Sequence, residues 1–362
     1  MSNLIIYLQP FLIALALSLV FAKALILFGK KYQLFDPLKE NKIHKREIAR
    51  FGGVAMIVSF LLVMFFSKNL VIDHLKWGIV FSSILILVFG VYDDLKNASW
   101  KKQILVQVLV ALLMISAGLS VDYIANPFGG AEFRLDLFNL QIFGLSFSVL
   151  GSLFIIFWIV GLMNAMNWLD GLDGLSGGVG FIGAITMFFL SISPLVNQPP
   201  LGIISIIFAG SILGFLAFNF FPAKIFMGTS GSMFLGFMLA VLAIFSGGKI
   251  ATALLVLGFP ILDATWVIVQ RIKAGKSPFR GDNLHLHYRL LALNWSQKKV
   301  TLFIYCICLI FGVASILSQS YGKIFLFISL FLVIGMIYIG TSKKRSSCHS
   351  REDGNPEFNS KN

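Results

Sequence analysis

Long apolar stretches separated by short polar links set the rhythm of this chain. Runs matching a helix that crosses a hydrocarbon core of ~30 Å fall at 4–28, 51–67, 77–92, 103–120, 145–163, 175–193, 201–219, 231–246, 250–269, 300–318 and 324–341. The expected architecture is an all-α polytopic integral membrane protein with about eleven transmembrane helices. Pro10 and Pro260 lie inside two of the runs, where neighbouring helices of a bundle can re-satisfy the freed backbone. No link has room for a soluble domain. Residues 1–342 are therefore expected to form one membrane-embedded domain, and 343–362 a polar, disordered tail.

Composition agrees, since 57% of the residues are hydrophobic and only 12% charged, too few polar groups to cover a soluble fold of this size. The 29 Lys and Arg residues set the orientation. Links 29–50, 93–102, 220–228 and 270–299 and the segment after 341 hold seven, three, one, seven and five of them, against five in the alternate links. By the positive-inside rule the N-terminus is outside and the C-terminus cytoplasmic. The formal charge of +13 is then a topology signal, and no nucleic-acid partner is implied. The first run is expected to remain a span, because no basic segment precedes it as in a cleaved signal peptide. Three cysteines in this placement offer neither a disulfide framework nor zinc spacing.

With only sixteen Asp and Glu residues, their positions carry information, because a carboxylate at a membrane boundary must be hydrated, paired or cation-bound. Asp93 and Asp94 end the third run, and their mutual repulsion is relieved by a cation or a proton; Lys96 follows as a phosphate-neutralising side chain. Asn164, Asn167, Asp170 and Asp173 recur at every third position beside Gly171, Gly174, Gly177 and Gly178. An oxygen-rich row next to flexible glycines suits Mg²⁺ and the phosphates it carries; the plain alternative is a polar loop. The segment Ser277–Arg289 brings His285 and His287, two positions apart, which suit metal ligation, phosphate binding or acid–base work, or form a solvated basic loop. Lys42, His44 and Arg50 precede the second run. Gly228, Thr229, Ser230 and Gly231 open the eighth, where free backbone N–H groups attract an anion. All of these fall on the cytoplasmic side of the charge map.

Together these segments resemble the polyprenyl-phosphate N-acetylhexosamine-1-phosphate transferase family, in its branch that initiates teichoic acid, O-antigen and enterobacterial common antigen lipids. The related phospho-MurNAc-pentapeptide translocase has a different histidine loop. The likeness runs from Lys42 to about Leu291 and rests on Asp93-Asp94, on Asn164 to Leu175 and on His285-Leu286-His287. It implies attack of a polyprenyl phosphate oxygen, undecaprenyl phosphate above all, on the β-phosphorus of a UDP-N-acetylhexosamine such as UDP-GlcNAc. UMP is released, as the first step of a cell-envelope glycan. The resemblance further implies Mg²⁺, with Mn²⁺ as substitute, a multi-pass place in the bacterial plasma membrane with the active site facing the cytoplasm, and allows a homodimer. Asp93, Asp94, Asp170, Asp173 and His285 would be catalytic. Lys42, His44, Arg50, Lys96, Asn167, Gly228, Ser230, Gly231, His287 and Arg289 would hold substrate, and Asn164, Asp94, Asp170 and position 229 the metal.

One position departs from the family pattern Gly-Asp-x-Gly-Ser: Thr229 stands where the acidic metal ligand is usual. A neutral hydroxyl coordinates Mg²⁺ far less strongly than a carboxylate. A weak or silent relative is therefore a standing alternative. A secondary transporter is another, although transporters place their ionisable groups near the bilayer midplane, and here they crowd at one boundary apart from Lys23 and Asp263, which lie within or near spans.

Overall fold

The computed structural model of the chain describes residues 2–32, 48–67, 70, 74–124, 126, 131–142, 145–194, 196–246, 250–277, 284–318 and 320–352. Every apolar run contains helix. In order these are α1 (Ser2–Tyr32), α2 (Gly52–Phe66), α3 (His74–Lys96), α4 (Trp100–Ser116), α5 (Val149–Leu169), α6 (Leu175–Ile192), α7 (Pro199–Asn219), α8 (Gly228–Phe245), α9 (Ile250–Val256), α10 (Gly258–Lys273), the short α11 (Leu286–Leu291), α12 (Gln297–Leu317) and α13 (Ser320–Glu352). Among the described residues, eight helices are long and apolar enough to cross a membrane, and α9 with α10 make a ninth if that bent pair is one span. Helices α2 and α4, with 15 and 17 residues, fall short of that length. Helix α13 continues past the predicted start of the tail as far as Glu352.

Three local differences from the sequence reading have physical causes. The ninth run is not one helix, because α9 and α10 meet at 76°. Pro260 lacks an N–H, and its ring would clash with the carbonyl four residues earlier, at Val256, which is where α9 ends. The fifth run starts late, since Leu145–Ser148 is strand β4, paired antiparallel with β3 (Asn139–Ile142). A second small hairpin joins β1 (Tyr123–Ile124) and β2 (Phe133–Arg134). The same helix then runs on to Leu169, so Asn164 and Asn167 are helical rather than part of a loop.

Helix α8 is the hub. It is apolar on every side, 83% of its core window is buried, and α2, α3, α5 and α6 surround it. Close approach comes from small residues, the device that membrane helices use in place of a hydrophobic driving force. A Cβ at Gly53 would lie 2.2 Å from the Gly231 nitrogen, and one at Gly90 would lie 2.3 Å from Ser230 Cα. Likewise Gly210 and Gly214 of α7 lie against the carbonyls of Phe11 and Leu15 of α1. Helices α1 and α13 expose most of their apolar surface, as lipid-facing helices do. The consequence for function is that α8 begins at the bundle end where α3 and α5 finish.

Candidate active site

The start of α2 is lashed to the start of α8 by backbone hydrogen bonds: Phe226 N donates to Ala49 O at 2.9 Å, and Gly52 N and Gly53 N donate to Phe226 O and Met227 O, both at 2.8 Å. This holds Arg50 over the end of α3, where its Nη1 donates to the Asp94 main-chain oxygen at 2.6 Å. Asp93 is a structural acceptor. It takes Ala98 N at 2.7 Å, Gln103 Nε2 at 3.2 Å and the Thr229 hydroxyl at 2.6 Å. Asp94 is different. Its Oδ1 accepts Thr229 N at 2.9 Å, while its buried Oδ2 has no hydrogen-bond partner among the described residues. A carboxylate oxygen hidden from water without a donor is costly. Gly228, at φ 73°, makes room for it: a Cβ there would sit 2.4 Å from Asp94 Oδ2.

The second wall is the end of α5 and the turn after it. Asn164 spends its amide nitrogen on Gln107 Oε1 at 2.7 Å and Val160 O at 2.8 Å. Asn167 accepts from Ser232 at 2.9 Å. Asp170 accepts from the Ser176 hydroxyl at 2.6 Å. Burial first, and then the charges of Asp94 and Asp173, push its carboxyl up to about 7 against that bond. Asp94 and Asp170 are thus electrostatic neighbours, although they come from different helices. Asp173 takes Ala223 N at 2.9 Å and braces the turn, which Gly174, at φ 74°, closes with help from Asn219.

The histidine segment forms the third wall. His287 Nε2 and the Tyr288 hydroxyl come so close to Gly171 that a Cβ there would lie 2.6 Å from each. Both ring nitrogens of His287 are buried without a partner among the described residues, and burial lowers its pKa to about 4, so it is neutral near pH 7. The Tyr288 phenol is raised by burial and by Asp170. His285 lies beside Trp168, with ring centroids 6.1 Å apart, and stacks on His287 at 5.6 Å. Three segments far apart in the chain therefore converge at one end of the bundle.

Not every expected residue faces this cluster. Lys42 and His44 lie outside the described residues. Lys96 is exposed at the end of α3, and among the described residues no hydrogen bond or ion pair ties it to the carboxylates. Arg289 braces α11, donating to Leu284 O and Gln270 Oε1 at 2.9 Å each and covering the Tyr338 ring. Thr229, expected at the metal, turns its hydroxyl to Asp93. Its N–H, expected to await an anion, is taken by Asp94. Ser230 and Gly231 pack against Gly90 and Gly53, which makes them helix-contact residues. Sequence reading passed over Gln103 and Gln107, Ser176, Tyr338 and the role of Asp263. The glutamines are one turn apart on α4, a spacing that puts both on one face and was available as a signal.

Among the described residues no three His, Cys, Asp or Glu side chains group as a metal cage. Mg²⁺ seldom needs one, being held by one or two carboxylates with waters and substrate phosphates. The orphaned Asp94 oxygen, with half-buried Asp170 as its electrostatic neighbour, fits such an ion; the Thr229 hydroxyl is engaged by Asp93 instead.

Comparison with known proteins gives a consistent result. The family described as Glycosyl transferase family 4 matches residues 76–247. The chain is 31% identical over 334 residues to a probable undecaprenyl-phosphate N-acetylglucosaminyl 1-phosphate transferase of Bacillus subtilis, covering 90% of this chain and 88% of the relative. It is 32% identical to a decaprenyl-phosphate N-acetylglucosaminephosphotransferase of Mycobacterium leprae, over 74% of this chain and 72% of that one. An undecaprenyl-phosphate alpha-N-acetylglucosaminyl 1-phosphate transferase of Thermotoga maritima is 28% identical over 89% of the chain and 94% of its own length.

Proposed function

The chain belongs to glycosyl transferase family 4, and from that membership we propose that it transfers N-acetylglucosamine 1-phosphate from UDP-N-acetylglucosamine to undecaprenyl phosphate, releasing UMP, as the first step of a cell-envelope glycan. A lipid phosphate oxygen forms a bond to the β-phosphorus while the bond from that phosphorus to the bridging oxygen of UMP breaks. The products are polyprenyl diphosphate N-acetylglucosamine and UMP. The basic residues of the links support a site facing the cytoplasm, where nucleotide sugars are made.

The observation that carries this reading is the convergence of Asp94 and Asp170, with one carboxylate oxygen left uncompensated, beneath two histidines. Phosphoryl transfer asks a protein mainly to position its reactants and to compensate charge. Asp94 and Asp170 would hold Mg²⁺, which supplies the positive charge that offsets the phosphate oxygens. His287, neutral and with no hydrogen-bond partner among the described residues, offers a hydrogen-bonding group to the diphosphate or sugar, and Arg50 adds positive charge beside Asp94. A panel of UDP-sugars offered to the purified protein with undecaprenyl phosphate and Mg²⁺ tests the assignment. UMP release is expected with UDP-GlcNAc foremost, and release with no UDP-sugar would reject it.

Thr229 bears on how well the ion is held. Thr229→Asp exchanges a hydroxyl donor for a third carboxylate beside Asp93 and Asp94. The Mg²⁺ concentration for half-maximal rate is expected to fall about tenfold, with a higher maximal rate. An unchanged Mg²⁺ dependence would count against both the proposed metal position and a weakened wild-type site.

A further inference from the structure

His285 is not simply a loop histidine. Its Nδ1 lies 2.7 Å from Asp263 Oδ2, and both side chains are buried. Asp263 projects from α10 and belongs to no cluster read from the sequence. Its other oxygen accepts Leu286 N at 2.8 Å and also the Tyr338 hydroxyl from α13. Three donors around one buried carboxylate are what an ionised carboxylate holds. Main-chain N–H and phenol O–H can only donate here, so the third partner, Nδ1, must carry its proton. That fixes the tautomer and leaves Nε2 as the nitrogen free to address a ligand. Trp168 and His287 flank the ring, Arg271 covers the far face of Trp168, and Arg289 covers Tyr338. The imidazole is therefore held by packing as well as by hydrogen bonds.

We propose that Asp263, supported by Tyr338, is a positioning residue for the transfer reaction, locking His285 with Nδ1 protonated so that Nε2 is presented to the substrate diphosphate. The inference rests on the reaction proposed above. Nε2 accepts a proton when the ring is neutral. Once the ring is protonated Nε2 donates to a phosphate oxygen, and Asp263 balances the imidazolium charge. The bend between α9 and α10 gives the arrangement its reach, since it redirects α10 and so places Asp263 below α11.

Asp263→Asn tests this with little change of shape. The amide oxygen still accepts Leu286 N, but the amide nitrogen faces Nδ1 as a donor and forces the proton to Nε2. The expected loss in kcat is about 10²-fold or more, with KM for UDP-GlcNAc changed by less than about threefold. In a His285→Asn background the same substitution is expected to cost nothing further, because residues acting as a unit are not additive. A merely structural Asp263 would lower activity equally in both backgrounds, and that result overturns the proposal, as does an undiminished kcat. Tyr338→Phe gives a second route if Asp263→Asn does not fold, with a loss of about threefold to tenfold that also vanishes without His285. ¹⁵N spectra of the histidines in the wild-type protein report the tautomer without any turnover. A neutral His285 ring with its proton on Nε2 and Nδ1 bare sinks the proposal whatever the enzyme does, whereas the expected Nδ1–H signal with no UMP release would instead refute the assigned reaction.

Discussion

Asp94→Asn is expected to lower UMP release by about 10³-fold while leaving the protein folded. The main-chain donor Thr229 N can bond the amide oxygen as it bonds Asp94 Oδ1 now, at 2.9 Å, so the local frame survives. What disappears is the negative charge at a buried carboxylate oxygen that has no hydrogen-bond partner among the described residues. Groups that hold charge in a preorganised, water-poor site are worth about 10²–10³ in rate each, and a Mg²⁺ ion held there, as proposed, would lose one of its carboxylates as well. Removing a buried, uncompensated carboxylate relieves a desolvation cost. Thermal unfolding of the detergent-solubilised variant should therefore occur at the wild-type temperature or above it. Lost rate with kept or raised stability marks a group retained for chemistry. A loss smaller than tenfold would remove Asp94 from the centre of the site.

Gly90→Ala is expected to do the opposite to stability and nearly as much to rate. The added methyl would lie 2.3 Å from Ser230 Cα, and main chain cannot swing aside as a flexible side chain does. Helices α3 and α8 must part, at a cost of ~1–3 kcal/mol for overpacking. Gly90 is one turn before Asp94 and directly behind Thr229, so the shift acts on the bonds from Thr229 to Asp93 and Asp94. Misplacing a catalytic group by ~1 Å costs about 10²-fold. Gly161→Ala is the control, since a Cβ there meets nothing within 4 Å and alanine is the better helix former. It should leave both rate and unfolding temperature near wild type. Equal behaviour of the two variants would show that close α3–α8 contact does not govern the site.

How much of this was legible in the sequence varies with the physics behind each feature. Apolar runs are read easily, because a membrane demands a minimum length of helix, and each of them contains helix. The carboxylates at 93, 94, 170 and 173 stood out because charge is scarce in this chain. Legibility ends where a residue's task depends on a neighbour in space. Pro260 was read as a tolerated interruption, yet it ends α9 and turns α10. Asp263 looked like a lone acid in an apolar run, because its partners His285 and Tyr338 lie on later helices. Asp93 and Asp94 were both read as catalytic, with Asp94 alone assigned to the metal, and the hydrogen bonds now separate a saturated acceptor from an orphaned one. The hairpins between α4 and α5 were hidden for another reason: their strands are two to four residues long, too short for alternation to register.

The most direct test follows the phosphorus atom. Purified protein is given UDP-GlcNAc labelled in its β-phosphate, with undecaprenyl phosphate and Mg²⁺, and the label is traced as UMP is counted. One labelled phosphate should pass into the organic-soluble lipid for each UMP formed. Label that stays with the nucleotide, or leaves as inorganic phosphate, would contradict transfer at this site.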